Sequence, residues 1–275
     1  MIKIIQYMHG SDPQLLEAAA VAAWSMKMFG GWRDKVRLIF YTTTPENLRN
    51  SLLRNVFDEV KEPTFDWRRM WNLDWAARPS PDYVHGFQRE VCWTKFLQWV
   101  EEPCELDDYV IYSDMDVLCV GSLVDALPTT EENRLWAGVT YHMRHGGEIR
   151  TCTNGGFYVK RGVFNQTKLR QQMQEIVWDD EKYAFSYHTL CPHTDESAVA
   201  YFLHTYGDSS FKRLDYRFNF WNKEKLVQKK RTLEQCDIRV MHFVRSPKPW
   251  DKPREPFKAL SNRWRAVRDR MREMI

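Results

Sequence analysis

The sequence of 275 residues has no long apolar run, which argues against a membrane-spanning helix. Its six cysteines are scattered without a C-x-x-C pair, so we expect reduced thiols in a cytoplasmic protein rather than a disulfide framework or a zinc site. Its 40 basic and 37 acidic residues nearly balance, and nucleic acid is therefore not an expected partner. The first residues lack the apolar region and cleavage site of a signal peptide and are typical of a first strand.

The chain does contain enough apolar material for one sizeable core, since 43% of its residues are hydrophobic. We expect most of its 12 Trp to be buried, although aromatic-rich surfaces also bind sugars. Strand patterns at 2–7, 36–43 and 56–60 alternate with helical patterns at 15–29 and 45–55. This alternation predicts an α/β fold with a doubly wound parallel sheet.

The second half of the chain continues with mixed elements and shows neither an internal repeat nor a low-complexity linker. A helix at 88–101 leads into a strand that ends near residue 113. Beyond it the patterns predict a short helix near 122–126, strands at 135–141, 154–159 and 240–244, and helices at 165–178 and 195–205. We therefore expect a single domain over residues 1–256, followed by a separate helix at 257–275.

Residues 63–86 interrupt the alternation of strands and helices. They contain three prolines and three tryptophans, Trp67, Trp71 and Trp75, which are spaced four apart and would share one face of a short helix. Such a segment is either a short helix packed against the core or an insertion at the rim of a binding site, where it would contact an acceptor substrate.

Residues 257–275 have the pattern of a basic amphipathic helix. The apolar stripe consists of Phe257, Leu260, Trp264, Val267, Met271 and Ile275, and the arginines that lie mostly off it are Arg263, Arg265, Arg268, Arg270 and Arg272. The stripe either packs on the domain or makes a peripheral contact with an anionic membrane surface.

The segment that carries the clearest chemical signal is an apolar run at 109–113 that ends in two carboxylates, Asp114 and Asp116. The run is typical of a buried strand, and ligands of open α/β sheets bind just beyond the carboxyl ends of such strands. Two carboxylate oxygens at that position suit a divalent cation that holds a phosphorylated substrate.

A second segment begins with His242 at the end of a predicted strand and continues to Lys248, which lies between Pro247 and Pro249. A neutral imidazole can bind a metal, and a lysine can contact a phosphate as a point charge. The prolines would restrict the loop and reduce the entropy lost in positioning the lysine. Taken alone, His242 favours a structural role over a metal-binding one.

Three further segments have both a structural and a functional interpretation. Asn154, with Gly155 and Gly156, is either a turn before a strand or a place where a ligand approaches the backbone. Asp195-Glu196 opens a helix, where the aspartate is either an N-cap or a ligand contact. Lys95, on the helix before the key strand, is either solvated or directed into the site.

Together these segments resemble the retaining GT-A glycosyltransferases of glycosyltransferase family 8, the group of glycogenin and the bacterial lipopolysaccharide galactosyl- and glucosyltransferases. The matching segments are, in chain order, Cys92-Trp93-Thr94-Lys95-Phe96, Asp114-Met115-Asp116, Asn154-Gly155-Gly156, Asp195-Glu196, and His242 followed by Lys248-Pro249-Trp250. The resemblance covers about residues 88–250, and the predicted N-terminal strands also fit. The spacing from His242 to Lys248-Pro249-Trp250 is its most specific element.

The resemblance implies a GT-A (Rossmann-like) fold with a mixed, mostly parallel central sheet and helices on both faces. It implies a Mn²⁺ site made by Asp114, Asp116 and His242, with Mg²⁺ as the alternative metal. It also implies a nucleoside-diphosphate sugar as donor, most often a UDP-sugar. The implied donor-binding residues are Tyr7, His9, Lys95, Asp114, Asn154, Gly155, Asp195 and Lys248, and the implied catalytic residues are Asn154, Asp195 and Glu196.

The sequence departs from the family pattern in three places. Arg245 replaces a glycine that usually follows the metal-binding histidine by three residues. Glu196 replaces a glutamine and would put a carboxylate near the reacting face of the sugar, which makes a covalent intermediate a hypothesis beside a front-face mechanism. The element that holds the nucleotide base in relatives has no clear counterpart, although Tyr7, His9 and Asp12 lie in the corresponding region.

We therefore expect an enzyme that moves a hexose from UDP-glucose or UDP-galactose to a glycan, a lipid-linked glycan or another hydroxyl acceptor with retention of configuration. Two alternatives remain open at this stage. One is an inverting GT-A glycosyltransferase, which would need a general base on the acceptor side. The other is a nucleotide-sugar-binding protein that has lost catalysis.

Overall fold

The computed structural model describes residues 1–33, 35–73, 86–145, 148–191, 194–206, 209–221, 232–244, 248–252 and 257–275. The strands are β1 (Ile2–Met8), β2 (Val36–Thr42), β3 (Glu59–Lys61), β4 (Tyr109–Ser113), β5 (Val117–Cys119), β6 (Trp136–His145), β7 (Glu148–Arg161), β8 (Phe211–Leu214) and β9 (Val240–His242). The helices are α1 (Pro13–Phe29), α2 (Ser51–Val56), α3 (Trp67–Trp71), α4 (Gly86–Glu101), α5 (Lys168–Trp178), α6 (Asp180–Phe185), α7 (Thr194–Tyr206) and α8 (Lys258–Met274).

The central sheet has seven strands in the order β3-β2-β1-β4-β7-β6-β8. The first four strands in this order run parallel to one another, β7 is antiparallel to both β4 and β6, and β8 is parallel to β6. The predicted mixed, mostly parallel α/β sheet is therefore confirmed. Strands β5 and β9 form a separate antiparallel pair.

Some predicted elements differ in detail from those observed. The helix predicted at 45–55 is divided, because Asn50 has an extended backbone and caps α2 by accepting a hydrogen bond from the Leu53 amide. The strand predicted at 56–60 begins only at Glu59, since Val56 still belongs to α2. The short helix predicted near 122–126 is a single 3-10 turn at Val124–Ala126.

The core has one apolar cluster on each face of the sheet. On one face the Ala-rich helix α1 buries ten residues, and Asp12 caps its N-terminus by accepting hydrogen bonds from the amides of Gln14 and Leu15. On the other face α4, α5 and α7 enclose an aromatic cluster that includes the fully buried Trp93, Trp99 and Trp136. All six cysteines belong to the described residues and are thiols rather than disulfides.

Helix α8 closes the α1 face of the molecule. Trp264, Val267 and Met271 of its apolar stripe are buried in the same cluster as α1, and Arg272 forms an ion pair with Glu17 of α1. The structure thus shows the middle of the stripe packed on the domain, whereas Ile275 at its end is exposed. Among the described residues, no helix combines the length and the apolar character needed to cross a membrane.

A buried lysine joins separate segments of the chain by hydrogen bonds, at the opposite end of the sheet from Asp114. Lys160 of β7 donates hydrogen bonds to the carbonyl oxygens of Val100 at 2.8 Å and Glu102 at 2.9 Å, and to Asn165 Oδ1 at 2.6 Å. Replacing Lys160 with methionine is expected to lower the free energy of unfolding by about 3 kcal/mol, because the Val100 carbonyl and Asn165 Oδ1 lose a buried donor, while the Glu102 carbonyl still accepts from Asn165 Nδ2. Chemical denaturation of both proteins measures this difference.

The same pair of proteins should show a defined pH dependence. Burial lowers the pKa of Lys160 to about 7. Between that value and the higher pKa of the unfolded chain, the unfolded state binds more protons, so stability from this group rises with pH. The stability of the wild type relative to Lys160→Met is therefore expected to increase from about pH 7 to about pH 9. A difference that shrinks over this range would contradict the assignment.

Candidate active site

The structure brings Asp114, Asp116 and His242 together although the histidine is distant in sequence. The two aspartates follow β4, and β5 then pairs with β9 so that Val117 lies opposite His242. The Phe243 amide donates to the Asp116 carbonyl at 2.8 Å and closes this pairing. One potential ligand atom from each of the three residues lies within 4.8 Å of the others. The three predicted metal ligands thus form one cluster.

The imidazole of His242 is held in a defined orientation. Its Nδ1 lies 2.9 Å from Asn219 Oδ1, so Nδ1 carries the hydrogen of this bond. Its Nε2 faces the carboxylates, at 3.1 Å from Asp116 Oδ1 and 3.7 Å from Asp114 Oδ2. Gly156 of β7 lies directly against the ring, where a Cβ atom would approach His242 Nδ1 to 2.4 Å. This arrangement points Nε2 to where a cation would be bound.

Two lysines surround the carboxylates. Lys95 of α4 donates to Asp114 Oδ1 at 2.9 Å, and Lys248 contacts Asp116 Oδ2 and donates to the Phe243 carbonyl at 2.9 Å. The Tyr112 hydroxyl donates to the same Asp114 oxygen at 2.5 Å. The two carboxylates are therefore balanced by two ammonium groups. Any added cation would leave the site positive and suited to an anionic ligand such as a diphosphate.

Electrostatic interactions with its neighbours keep the carboxylate of Asp116 ionised. Burial alone would raise the pKa of Asp116, but the neighbouring His242 and Lys248 outweigh it and hold that pKa well below its usual range. Two carboxylates and an imidazole with its Nε2 turned inward form a mixed oxygen and nitrogen donor set. These residues therefore fit a divalent cation.

Glu196 lies beside the glycine pair of β7. Its Oε1 accepts a hydrogen bond from the Gly155 amide at 2.6 Å, and its Oε2 accepts one from the Tyr141 hydroxyl at 2.9 Å. Burial and the Glu196 carboxylate both raise the pKa of Tyr141, so the phenol keeps its proton and remains a donor. The carboxylate thus links the start of α7 to the β6–β7 hairpin.

Tyr7 and His9 lie at the carboxyl end of β1, the edge of the sheet that Asp114 also occupies. The Tyr7 hydroxyl is 3.2 Å and His9 Nδ1 is 2.8 Å from Thr43 Oγ1, which follows β2. Burial raises the pKa of Tyr7 to about 12 and lowers the pKa of His9. The ring of His9 packs on Trp71 of α3 with centroids 4.4 Å apart, so the Trp-rich segment reaches this edge.

Some predicted site residues lie outside the described part of the chain. These are the side chains of Asn154 and Asp195, together with Arg245 and Trp75. Their roles stay predictions. Among the described residues, sequence reasoning missed Asn219, Tyr112 and Tyr141, which contact His242, Asp114 and Glu196 respectively. Tyr112 could have been found from its position two residues before Asp114, whereas Asn219 carries no local signal.

Comparisons with known proteins agree with this architecture. No family model and no curated protein matches the sequence. Among solved structures, a complex of the galactosyltransferase LgtC with donor and acceptor sugar analogues superimposes with a TM-score of 0.61 and 14% identity, covering 100% of both chains. Mouse xyloside xylosyltransferase 1 matches with a TM-score of 0.54 and 13% identity over 88% of this chain and 96% of its own.

A further match is the glycosyltransferase GlyE of Streptococcus pneumoniae TIGR4, with a TM-score of 0.53 and 12% identity over 98% of this chain and 63% of its own. At such identities the likeness concerns the fold. The resemblance predicted from the sequence motifs is confirmed at that level, because the described residues have a GT-A-like α/β fold and the match to LgtC covers 100% of the chain.

Proposed function

We propose that the protein is a metal-dependent glycosyltransferase that moves a hexose from a nucleoside-diphosphate sugar to a hydroxyl acceptor with retention of configuration. The donor is UDP-glucose or UDP-galactose, and the acceptor is a glycan or a lipid-linked glycan. The observation that supports this most strongly is the convergence of Asp114, Asp116 and His242, flanked by two lysines, at the carboxyl edge of parallel strands. We further propose that residues 1–256 form the catalytic domain.

The charges of the cluster suit the departure of a diphosphate. A divalent cation held by Asp114, Asp116 and His242, with Mn²⁺ favoured by the mixed donor set, would supply Lewis-acid stabilisation of the leaving group. Lys248 is held by Asp116 and the Phe243 carbonyl, from where its ammonium group can turn to the diphosphate oxygens. Lys95, Asn154 and Asp195 would then contact the donor sugar.

In the reaction, the bond between the anomeric carbon and the diphosphate oxygen breaks. A bond from the acceptor oxygen to the same carbon forms on the same face. The hydroxyl proton passes to the leaving diphosphate. A retaining front-face reaction of this kind needs no enzyme nucleophile. It agrees with the geometry of Glu196, because hydrogen bonds to both of its oxygens reduce its nucleophilicity.

The proposal is tested by incubating the protein with a panel of nucleotide sugars, with and without Mn²⁺, and measuring nucleotide release. We expect metal-dependent release from at least one UDP-hexose and an α-configured product by NMR. A β-configured product would support the inverting alternative. Binding of nucleotide sugars without any release would support an inactive binding protein.

Replacing Glu196 with glutamine is expected to change kcat by no more than about tenfold. The amide oxygen can still accept from Gly155 and the amide nitrogen can donate to the Tyr141 oxygen. The hydrogen-bonded link between α7 and the β6–β7 hairpin is therefore kept. Replacement with alanine removes both bonds and should raise the donor KM. A fall in kcat of about 10³-fold or more in Glu196→Gln would instead favour a covalent intermediate on this carboxylate.

A further inference from the structure

An exposed tryptophan lies beside the candidate metal centre. Trp221 is 45% exposed to solvent. It directly follows Phe220, whose amide donates to the Val240 carbonyl at 2.9 Å and whose carbonyl accepts from the His242 amide at 2.9 Å. Phe220 therefore extends the β5–β9 pair by one parallel bridge to Met241. The residue after Phe220, Trp221, therefore lies alongside His242, the residue after Met241.

The alternation of side chains places Trp221 on the same side as the metal ligand. Asn219 is turned towards His242 Nδ1, whereas Phe220 is buried with Met241 in the α1-side core. Phe220 and Met241 are paired and share the core face, and successive side chains of a strand point to opposite faces, so Trp221 and His242 share the other face. Adjacent strands are about 4.8 Å apart, so the Trp221 backbone lies roughly that far from the backbone of His242.

The ring of Trp221 is exposed although it lies next to the polar cluster. A tryptophan is well buried on average, so an exposed indole beside a candidate site leaves apolar surface available to a ligand. None of the aromatic pairs between described residues includes Trp221, in contrast to Tyr216 and Phe220, whose rings pack on each other at 5.8 Å. The indole therefore presents flat apolar surface at the edge of the site.

A sugar ring is the ligand that this surface suits best. One face of a hexopyranose carries aliphatic C–H groups that pack on an aromatic ring, while its hydroxyl groups stay hydrated or hydrogen-bonded. The residues predicted to face the donor lie on the central sheet or on the helix packed against it, with Tyr7 on β1, Gly155 on β7 and Lys95 on α4. Trp221 lies outside that sheet, next to the β5–β9 pair, which leaves its ring to a second substrate.

We propose that Trp221 forms an acceptor subsite, in which its indole stacks on a sugar ring of a glycan acceptor next to the reacting hydroxyl. This inference rests on the proposed function, since it assigns the second substrate of the same site. It makes the acceptor a carbohydrate, rather than a hydroxyl group on a protein side chain or on a lipid without sugars.

The test compares the wild type with Trp221→Ala, Trp221→Phe and a control, Phe185→Ala, which removes a 41% exposed aromatic ring from α6. Saturation-transfer NMR with lactose, maltose and cellobiose measures acceptor binding directly, and assays with UDP-hexose and Mn²⁺ measure transfer to each disaccharide and to water. We expect Trp221→Ala to weaken disaccharide binding and raise the acceptor KM about tenfold or more, with hydrolysis of the donor within about twofold of wild type. Trp221→Phe should recover most of the binding, and Phe185→Ala should behave as wild type.

Two results would contradict the assignment of Trp221 to an acceptor subsite. One is that the wild type binds none of the disaccharides, or binds them as well after Trp221→Ala. The other is that donor hydrolysis falls together with transfer in Trp221→Ala, which would place the ring at the donor. These outcomes are separate from a failure of the proposed function, which would appear as no metal-dependent turnover in the wild type, because the NMR measurement needs no turnover.

Discussion

Replacing Asp116 with alanine is expected to lower kcat/KM for the nucleotide sugar by about 10²–10³-fold. Asp116 is the residue on which the cluster converges, since His242 Nε2 lies 3.1 Å from one of its oxygens and Lys248 contacts the other. Its removal takes a ligand from the cation and releases the lysine that we propose contacts the diphosphate. Steady-state assays over a range of Mn²⁺ concentrations measure the loss.

Two further variants make this result specific. Asp116→Asn keeps the shape of the side chain but removes its charge, and it should be impaired to a similar extent because a neutral amide binds a divalent cation poorly. Asp107→Ala removes a carboxylate that is 88% exposed and pairs with Arg161 on the surface, so it should retain full activity. Unchanged turnover in folded Asp116→Ala would exclude a catalytic metal at this cluster.

Replacing Gly156 with alanine is expected to weaken metal binding by about 10–100-fold while the fold persists. The new methyl group would lie 2.4 Å from His242 Cε1 and Nδ1 and 2.9 Å from Asn219 Nδ2, so the imidazole has to move. Moving the ring separates it from both the carboxylates and the asparagine that orients it. Overpacking of this kind should also lower the free energy of unfolding by about 1–3 kcal/mol.

Gly138→Ala is the matched control for this change. Gly138 lies in β6, one strand away in the same sheet, and a Cβ there would meet Tyr158 Cδ1 at 3.1 Å rather than a metal ligand. A smaller loss of stability with unchanged Mn²⁺ affinity is expected for this variant. If Gly156→Ala bound Mn²⁺ as tightly as the control, the imidazole would not be the ligand that the glycine positions.

The parts of the fold and site that could be predicted have local signals. An apolar run that ends in Asp114 and Asp116 is recognisable from residue type alone, because a buried parallel strand excludes charge until its carboxyl end. The Ala-rich run of α1 predicts a helix through the high helix propensity of alanine. The spacing of three and four residues between the apolar residues of α8 predicts a helix with one buried face. His242 and Lys248 could be added only through their resemblance to a known order of motifs.

What could not be predicted depends on contacts between distant segments. The bond between Asn219 and His242 exists because Phe220 bridges to Met241, and a single bridge leaves no periodic pattern in the sequence. The short strands β5 and β8 were missed for the same reason, because three or four residues are too few to show alternation. The partners of Glu196 likewise come from the two strands of the β6–β7 hairpin, and the position of Glu196 directly after the possible N-cap Asp195 gives no sign of these bonds.

The most direct test of the central claim is the binding of Mn²⁺ itself, measured by electron paramagnetic resonance for the wild type and Asp116→Ala with and without UDP. We expect the wild type to bind one Mn²⁺ per chain, with an affinity that UDP increases, and the variant to bind it at least about tenfold more weakly. Equal Mn²⁺ binding by the two proteins, or no binding by the wild type even with UDP, would contradict a metal centre formed by Asp114, Asp116 and His242.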